Sequence, residues 1–562
     1  MNENTQGTPR FEKLITFLIA SVAVLVAVTV FLQNYASSVS NRANRAAQEL
    51  AIRSTTTEVK GTIQFSYDWQ SAFQTWNEVD LQRVAAEQTG DTTAVERYTK
   101  LKDNFVPLTP LLSEPYFDPA QGWTDTASYA SDLYLVEATR LQELYLANSE
   151  VGQAWSNIAD VFVIQITLLT VALSLYGLSI TLRGRVRWMF VLVGSGLAVF
   201  CVLWMGLKLV ESKPVTSEEA IDAYAEGYGL YYQGRSEEAI ASYDRALSIK
   251  PDYGNAVYER GYNYLLLGDY EQAVSDFLAA RDLGVDGEYT YWNLGWTYYL
   301  MGRYDDAIEA NNAILNSNPS VIGMRMNQGL TYLASGDLEQ AQREYDTLIA
   351  ELQRQIAEAH SNDQEPSASL WYYMDAASVD LQNLIDRLTE NTKSWTEAPE
   401  ASLVQGDHDQ IVAFAKDQMI RLKETTLALE YTGSLPPSRE VMNVSPLAYG
   451  YVTLDEEGFV SDFEEVPDGV FPSGTAAVSI QFTYDGPVPQ DRILWKFLLD
   501  GQEYSAFRTI WDPDLSGGDT WYKTVGFNYT NIFVLPAGEY TVELYADYHL
   551  VQTGTFRVES GG

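Results

Sequence analysis

A beat of 34 residues constrains this chain more than any other feature: Gly227, Gly261, Gly295 and Gly329 recur in step, each followed seven residues later by Gly234, Gly268, Gly302 and Gly336. Ala239, Ala273, Ala307 and Ala341 keep the same interval five residues further on. A period of this length is that of stacked helix-turn-helix units, which bury their apolar faces only against one another. Residues 211–355 are therefore expected to form four such units. The first glycine and the alanine let the two helices of a unit approach closely. The second glycine suits the left-handed backbone that ends a helix.

The units begin near Ala220, Gly254, Glu288 and Ile322, and the third shows the pattern best, with Tyr291, Leu294, Gly295, Tyr298, Gly302, Ala307 and a closing Pro319. This pattern resembles the tetratricopeptide repeat (TPR) family, which places an aromatic, Leu-Gly, a Tyr, an Ala and a Pro at the same offsets. The second repeat departs from it with Val285 in place of the proline, between Gly284 and Gly287, and the fourth with Arg325 and Gln328. A terminal repeat loses one neighbour, so departures are expected there. Two helical patterns off the beat, within 356–433, are expected to cap the array.

The resemblance implies that the first helix of each unit lines a concave groove, and that its fifth and ninth positions meet a protein or peptide ligand. Those positions are Tyr224 and Tyr228, Tyr258 and Tyr262, Trp292 and Trp296, and finally Met326 and Leu330. They lack the Lys, Asn and Arg with which some TPR domains grip a terminal carboxylate. The aromatic rings instead favour an apolar or proline-containing peptide, a partner helix or a segment of this chain. Two readings stay open: the rings meet an outside partner, or they pack within the chain.

Three uncharged stretches, 14–33, 161–182 and 188–207, are each long enough to cross the hydrocarbon core as a helix. The first is read as a retained anchor, because its apolar core exceeds a signal-peptide h-region and no small-x-small cleavage site follows. Arg183, Arg185 and Arg187 crowd the turn between the second and third spans, which places that turn in the cytoplasm together with Arg10 and Lys13. The expected order is a cytoplasmic tail (1–13), a first span (14–33), an extracytoplasmic helical hairpin or bundle (34–160), a second span (161–182), the basic turn (183–187) and a third span (188–210). The repeats (211–355), the helical cap (356–433) and a β-sandwich (434–562) follow outside. The expected location is the cell membrane, multi-pass, with most of the chain extracytoplasmic.

In the 34–160 segment, helices are expected to leave the first span as far as about residue 87 and to return from about 126. A loop-like stretch with Pro107, Pro110, Pro115 and Pro119 lies between them. Trp69, Trp76, Trp123 and Trp155 form either a ligand pocket or the bundle's core and interface anchors. After Pro436 and Pro437 the period changes to two: Val478, Ile480, Phe482 and Tyr484; Trp495, Phe497 and Leu499; Tyr540, Val542 and Leu544. Six to eight strands with turns at Asp500-Gly501 and Pro536-Ala537-Gly538 read as an antiparallel sandwich, and the closing strands resemble immunoglobulin-like modules of bacterial extracytoplasmic proteins. Asp512, Asp514 and Asp519 share a loop, but without an EF-hand spacing they read as a solvated turn.

Composition narrows the function. Residues 1–210 hold 19 acids and 15 bases, whereas residues 211–562 hold 57 acids and 21 bases. Such a field repels nucleic acid, whose binding needs Lys and Arg to displace counterions. Cys201 is the single cysteine, and His360, His408 and His549 are scattered, so neither a disulfide nor a metal cluster is expected. No phosphate loop, HExxH, G-x-S-x-G or kinase motif is present, so no catalytic residue and no cofactor is assigned. The fold class is a multidomain membrane protein, helical apart from its all-β end. Its expected function is a membrane-anchored scaffold that binds a protein or peptide partner, within an envelope complex, through the aromatic groove. The alternative is an envelope sensor whose 34–160 bundle binds a ligand and signals laterally.

Overall fold

The computed structural model describes residues 9–118, 123–362, 364–389, 398–432, 442–454, 460–486, 493–509, 520–525, 527–528, 531–532 and 535–560. Pro119, Pro436 and Pro437 and the loop of Asp512, Asp514 and Asp519 lie outside the described residues, as does the side chain of Trp123. The chain divides into two compact units, Met1–Asp286 and Gly287–Gly562.

In the first unit, α1 (Pro9–Tyr67) passes through a π-helical turn (Asp68–Phe73) into α2 (Gln74–Thr89). Next comes α3 (Thr92–Asp103), which the proline-rich reading of this stretch did not anticipate. Asp91 starts it by accepting a hydrogen bond from the Ala94 amide at 3.0 Å. A short pair, β1 (Phe117–Asp118) and β2 (Trp123–Thr124), leads to α4 (Thr126–Ala130), a second π-helical turn (Ser131–Leu135), and then α5 (Val136–Thr181) and α6 (Val186–Val210). Ser40 Oγ donates to the Gly152 carbonyl at 2.8 Å and Ser54 Oγ to that of Ala138 at 3.0 Å, while Tyr129 OH bonds Asp68. As the α1 numbers rise their partners' fall, so α1 and the returning chain are antiparallel. Three helices, within Arg10–Glu87, Thr126–Thr181 and Val186–Val210, are long and apolar enough to cross a membrane. Phe11, Ile15, Val22, Leu169, Tyr176, Val191 and Cys201 pack where they meet.

The first two repeats supply α7 (Glu218–Tyr232), α8 (Ser236–Ile249), α9 (Gly254–Leu267) and α10 (Tyr270–Asp282). In the second unit the other two supply α11 (Glu288–Leu300), α12 (Tyr304–Leu315), α13 (Ile322–Ala334) and α14 (Leu338–Ser361). The small residues work as their positions demand. A Cβ on Gly227 would lie 2.8 Å from Tyr243, one on Gly261 2.9 Å from Asp276, one on Gly295 2.4 Å from Asn311 and one on Gly329 3.2 Å from Tyr345. Ala239, Ala273, Ala307 and Ala341 are fully buried. Gly234, Gly268, Gly302 and Gly336 take φ values of +74°, +79°, +70° and +80°, the left-handed turn that closes each first helix. Buried Leu352 and Ile356 carry α14 through residue 355, so the boundary drawn there falls inside a helix.

Helices α15 (Ala368–Leu388) and α16 (His408–Thr432) follow. Among the described residues of the β-rich end, eight strands have six residues or more: β4 (Ala448–Leu454), β5 (Val460–Glu465), β7 (Val478–Asp485), β8 (Ile493–Leu499), β9 (Gln502–Thr509), β10 (Thr520–Val525), β13 (Gly538–Ala546) and β14 (His549–Val558). Four two-residue segments join them: β3 (Asn443–Val444), β6 (Val470–Phe471), β11 (Phe527–Asn528) and β12 (Asn531–Ile532). One sheet runs β10-β7-β4-β5 with β3 also on β7, and the other runs β6-β14-β13-β8-β9. The alternating residues of both, including Val478, Ile480, Phe482, Trp495, Phe497, Tyr540, Val542 and Leu544, share one core. Asp500 and Gly501 have φ of +48° and +83°, as a two-residue hairpin turn requires.

Candidate functional site

The fifth and ninth positions of the first helices do not form one uniform surface. In the first unit Tyr224 is 6% exposed and packs against Tyr243 and Tyr253, with ring centroids 5.7 and 5.3 Å away. Tyr228, Tyr258 and Tyr262 stay half-buried. Tyr231 lies between two of them, 5.8 Å from Tyr228 and 5.6 Å edge-on from Tyr262. In the second unit Trp292 is half-buried beside Tyr373 of α15, 5.5 Å between centroids, and Trp296 stacks on Tyr299 at 5.1 Å. Met326 and Leu330 are buried.

In each unit a helix from outside the 34-residue beat lies against the first helices. The cover of the first unit is α5. Its Leu144 enters the cluster of Ala220, Ile221, Ala223 and Tyr224. Arg140 Nε donates to Asp222 Oδ1 at 2.6 Å. Glu143, 7% exposed, accepts from the Tyr253 hydroxyl at 2.7 Å and from Asn255 Nδ2 at 3.1 Å. Gly229 permits the approach, since a Cβ there would lie 2.5 Å from Val136. Gln233 Nε2 reaches Ser131 Oγ at 3.0 Å. An open cavity of about 280 Å³ adjoins this contact, lined by Glu143, Glu150, Lys250, Asp252, Tyr253 and Asn255 among others.

The electrostatics follow from burial. Desolvation raises the Glu143 carboxyl above its usual range, offset partly by the bonds from Tyr253 and Asn255. Glu259, on α9, is pushed up to about 7, first by desolvation and then by the like charge of Glu143. Burial also raises the phenols of Tyr224, Tyr243 and Tyr253, so all three stay protonated and serve as donors or packing surfaces. Sequence reading passed over Glu143 and Glu259. One signal was available: Glu259 occupies the repeat position held by Ala225, Asn293 and Asn327, beside the ring positions, and its charge stands out there.

The cover of the second unit is α15, whose Leu370, Met374, Ala377 and Leu381 are buried. A Cβ on Gly323 would strike the Trp292 ring, with the Tyr373 ring 3.0 Å away, so that glycine gives the two rings their place. Helix α16 then bonds the fourth repeat through Gln418 and Gln342 at 2.9 Å, and it reaches the sheets through Lys423 with Glu543 and His549 with Glu424. Tyr548, in a turn with φ of +71°, packs against Leu427 and Ala428 of α16.

Of the hairpin tryptophans whose side chains are described, Trp69 and Trp76 join one ring cluster through Phe73, and Trp155 lies apart from it. Trp76 is buried against Phe117, and Trp69 stacks on Phe73. Trp155 meets Tyr35 edge-on instead. Residues 35 and 69 are separated by 34 helical residues, about 50 Å at the usual rise. A further buried acid lies near the Trp69 end: Asp68 accepts from Tyr129 and Gln64. Arg183 and Arg185 are exposed, and the Arg187 guanidinium lies 4.1 Å from the Phe11 ring centroid, which brings the basic turn to the start of α1. Among the described residues no cluster of His, Cys, Asp and Glu could hold a metal ion.

A family model described as tetratricopeptide repeat matches residues 224–287 and 258–321. Among solved structures, YrrB, a TPR protein with an unusual peptide-binding site, is 18% identical; the match covers 28% of this chain and 84% of that one, with a TM-score of 0.22. A tetratricopeptide repeat protein from Parabacteroides merdae is 14% identical over 62% of this chain and 99% of its own, with a TM-score of 0.23. An immunoglobulin-like protein from Pseudomonas aeruginosa is 16% identical over 22% of this chain and 100% of its own, with a TM-score of 0.16. No curated protein matches the chain.

Proposed function

The chain carries tetratricopeptide repeats, modules that bind protein or peptide partners, and from that premise we propose a membrane-anchored scaffold that holds such a partner in the cell envelope. The observation that carries this reading is the set of rings left half-buried on the first helices: Tyr228, Tyr258 and Tyr262 in one unit and Trp296 in the other. A ring that is partly dry and partly wet gains most from a partner that completes its burial. The partner is accordingly a peptide or helix with an apolar face. The immunoglobulin-like reading of the β-rich end adds a spacer or second contact surface.

The three apolar helices are the membrane anchor in this reading, with α1 beginning beside the basic turn. Positive charge at that end favours the cytoplasmic side, which leaves the hairpin, the repeats and the sheets outside. Single cysteines at Arg235 and Arg185, with buried Cys201 changed to serine, test this orientation by impermeant thiol labelling of intact cells. Labelling at 235 and protection at 185 are expected; the reverse pattern overturns the envelope location. Co-purification of the full chain with and without the changes Tyr262→Ala and Trp296→Ala tests the ring surface. Loss of a specific partner is expected, and an unchanged partner set overturns it.

A further inference from the structure

We propose that the cavity between α5 and the first two repeats binds an aliphatic diamine, with Glu143 at its floor and Glu150 at its mouth as the two ammonium partners. Two open spaces of about 280 and 450 Å³ adjoin there and share Glu150, Ser217, Lys250 and Asp252 in their linings, so they form one trough. All of it lies within the first unit. Its walls come from α5, the segment that leads into α7, and the turns before α9 and after α10.

Glu143 is what makes the trough a site. Its carboxylate is 7% exposed and is held in place by three hydrogen bonds, from Tyr253 OH at 2.7 Å and from Asn255 Nδ2 at 3.1 and 3.2 Å. Both donor residues are neutral. A carboxylate accepts about four hydrogen bonds, which leaves this one capacity toward the cavity that it lines. Among the described residues no Lys, Arg or His lies within ion-pair distance of it, and Lys250 acts on it from further off. Arg140, one turn before it on α5, is engaged by Asp222 at 2.6 Å. Buried charge is normally paired, and burial holds this carboxyl above its usual range in spite of its two donors.

The rest of the lining sets the chemistry of the missing counter-charge. Glu143 and Glu150 are two turns apart along α5, about 10 Å at the usual rise. Between them α5 presents Leu146 and Ala147, and Ile221 and Val285 line the same space. Two acids separated by an apolar stretch match two ammonium groups separated by methylenes. The charge agrees, because Glu143, Glu150 and Asp252 stand against Lys250 and leave the smaller space with two negative charges in excess. A dication neutralises that excess, which a zwitterion does not. Lys213, in the wider space, is occupied by the carbonyls of Lys208, Leu209 and Glu211. The occupant touches α5 and both repeats at once, and so fastens the helical hairpin to the array. The site stands whether or not the ring surface meets a partner.

Isothermal titration calorimetry of the full-length chain in phosphatidylcholine nanodiscs tests it, with cadaverine as the probe and pentanediol as its neutral counterpart. Saturable heat is expected from cadaverine and none from the diol. Butylamine, with an ammonium at one end only, should bind severalfold more weakly. Glu143→Gln, whose amide oxygen can still accept from Tyr253 and Asn255, should weaken cadaverine at least about tenfold. Leu146→Trp fills the cavity from a wall position that is 41% exposed and removes no charge, so it should abolish binding with the helical circular dichroism unchanged. Glu237→Gln, at an exposed acid of α8, should leave binding as it was. The proposal is overturned by the absence of saturable heat, by diol or butylamine binding as well as cadaverine, or by undiminished binding in Glu143→Gln or Leu146→Trp. An effect of Glu237→Gln as large as that of Glu143→Gln overturns it too, since that is general attraction to an acidic surface.

Discussion

The same repeat position is covered in two ways in this molecule. Tyr224 and Trp292 are both fifth residues of a first helix, and each meets a helix from outside the repeat beat. The cover of Tyr224 is α5, held by Arg140 on Asp222 and Glu143 on Tyr253 and Asn255 as well as by Leu144. The cover of Trp292 is α15, held by the Tyr373 ring and a row of buried Leu, Met and Ala. Apolar contact is insensitive to pH and is strengthened by salting-out ions, whereas carboxylates and ion pairs respond to protons and are screened by salt. One repeat architecture thus has an apolar cover in one unit and a partly charged cover in the other.

The largest effect that sharpens this contrast is expected from Leu381→Ala in α15. Leu381 is fully buried, so the cavity should cost about 2–5 kcal/mol, equally at pH 5.5 and 8.5, in urea unfolding of the full chain. A cost that changes severalfold with pH would break the comparison. Glu143→Ala comes next, at about 1–3 kcal/mol for the donors it leaves unpaired. Its cost should shrink as the pH rises through about 7, because the substitution also removes the charge that repels ionised Glu259. A cost that grows with pH would contradict the burial that raises the Glu143 carboxyl. Arg140→Ala is the smallest. Its partner Asp222 is more than half exposed, so a loss below about 1 kcal/mol is expected, and it should vanish in roughly 1 M salt. Persistence of the full loss at that ionic strength would show that Arg140 acts by packing its stem.

Local chemistry made much of this fold readable from the sequence. The beat of Gly227, Gly261, Gly295 and Gly329 was visible because close helix approach admits no side chain, and Asp500-Gly501 because two consecutive positive φ values suit few residue pairs. Three apolar stretches stood out because a hydrocarbon core sets a length. What could not be read depends on residues far apart in the chain. Glu143 and Tyr253 are 110 positions apart, and neither has a periodic or motif context that pairs them. The same holds for Tyr373 against Trp292. Helix α3 was hidden for a different reason: its capping Asp91 lies in a stretch whose prolines, further on, dominated the reading. The six aromatic positions were legible as positions, but their exposure was not, because exposure is set by which other helix reaches them.

The account rests on the half-buried rings of the repeat helices meeting a partner, and site-specific photo-crosslinking in living cells tests that claim most directly. A photoreactive phenylalanine analogue replaces Tyr228 or Trp296 in the full-length chain, and exposed Ala241 on α8 serves as the control position. The account predicts a discrete crosslinked protein from the two ring positions and none from 241. No product from the rings, or the same product from all three positions, would contradict it.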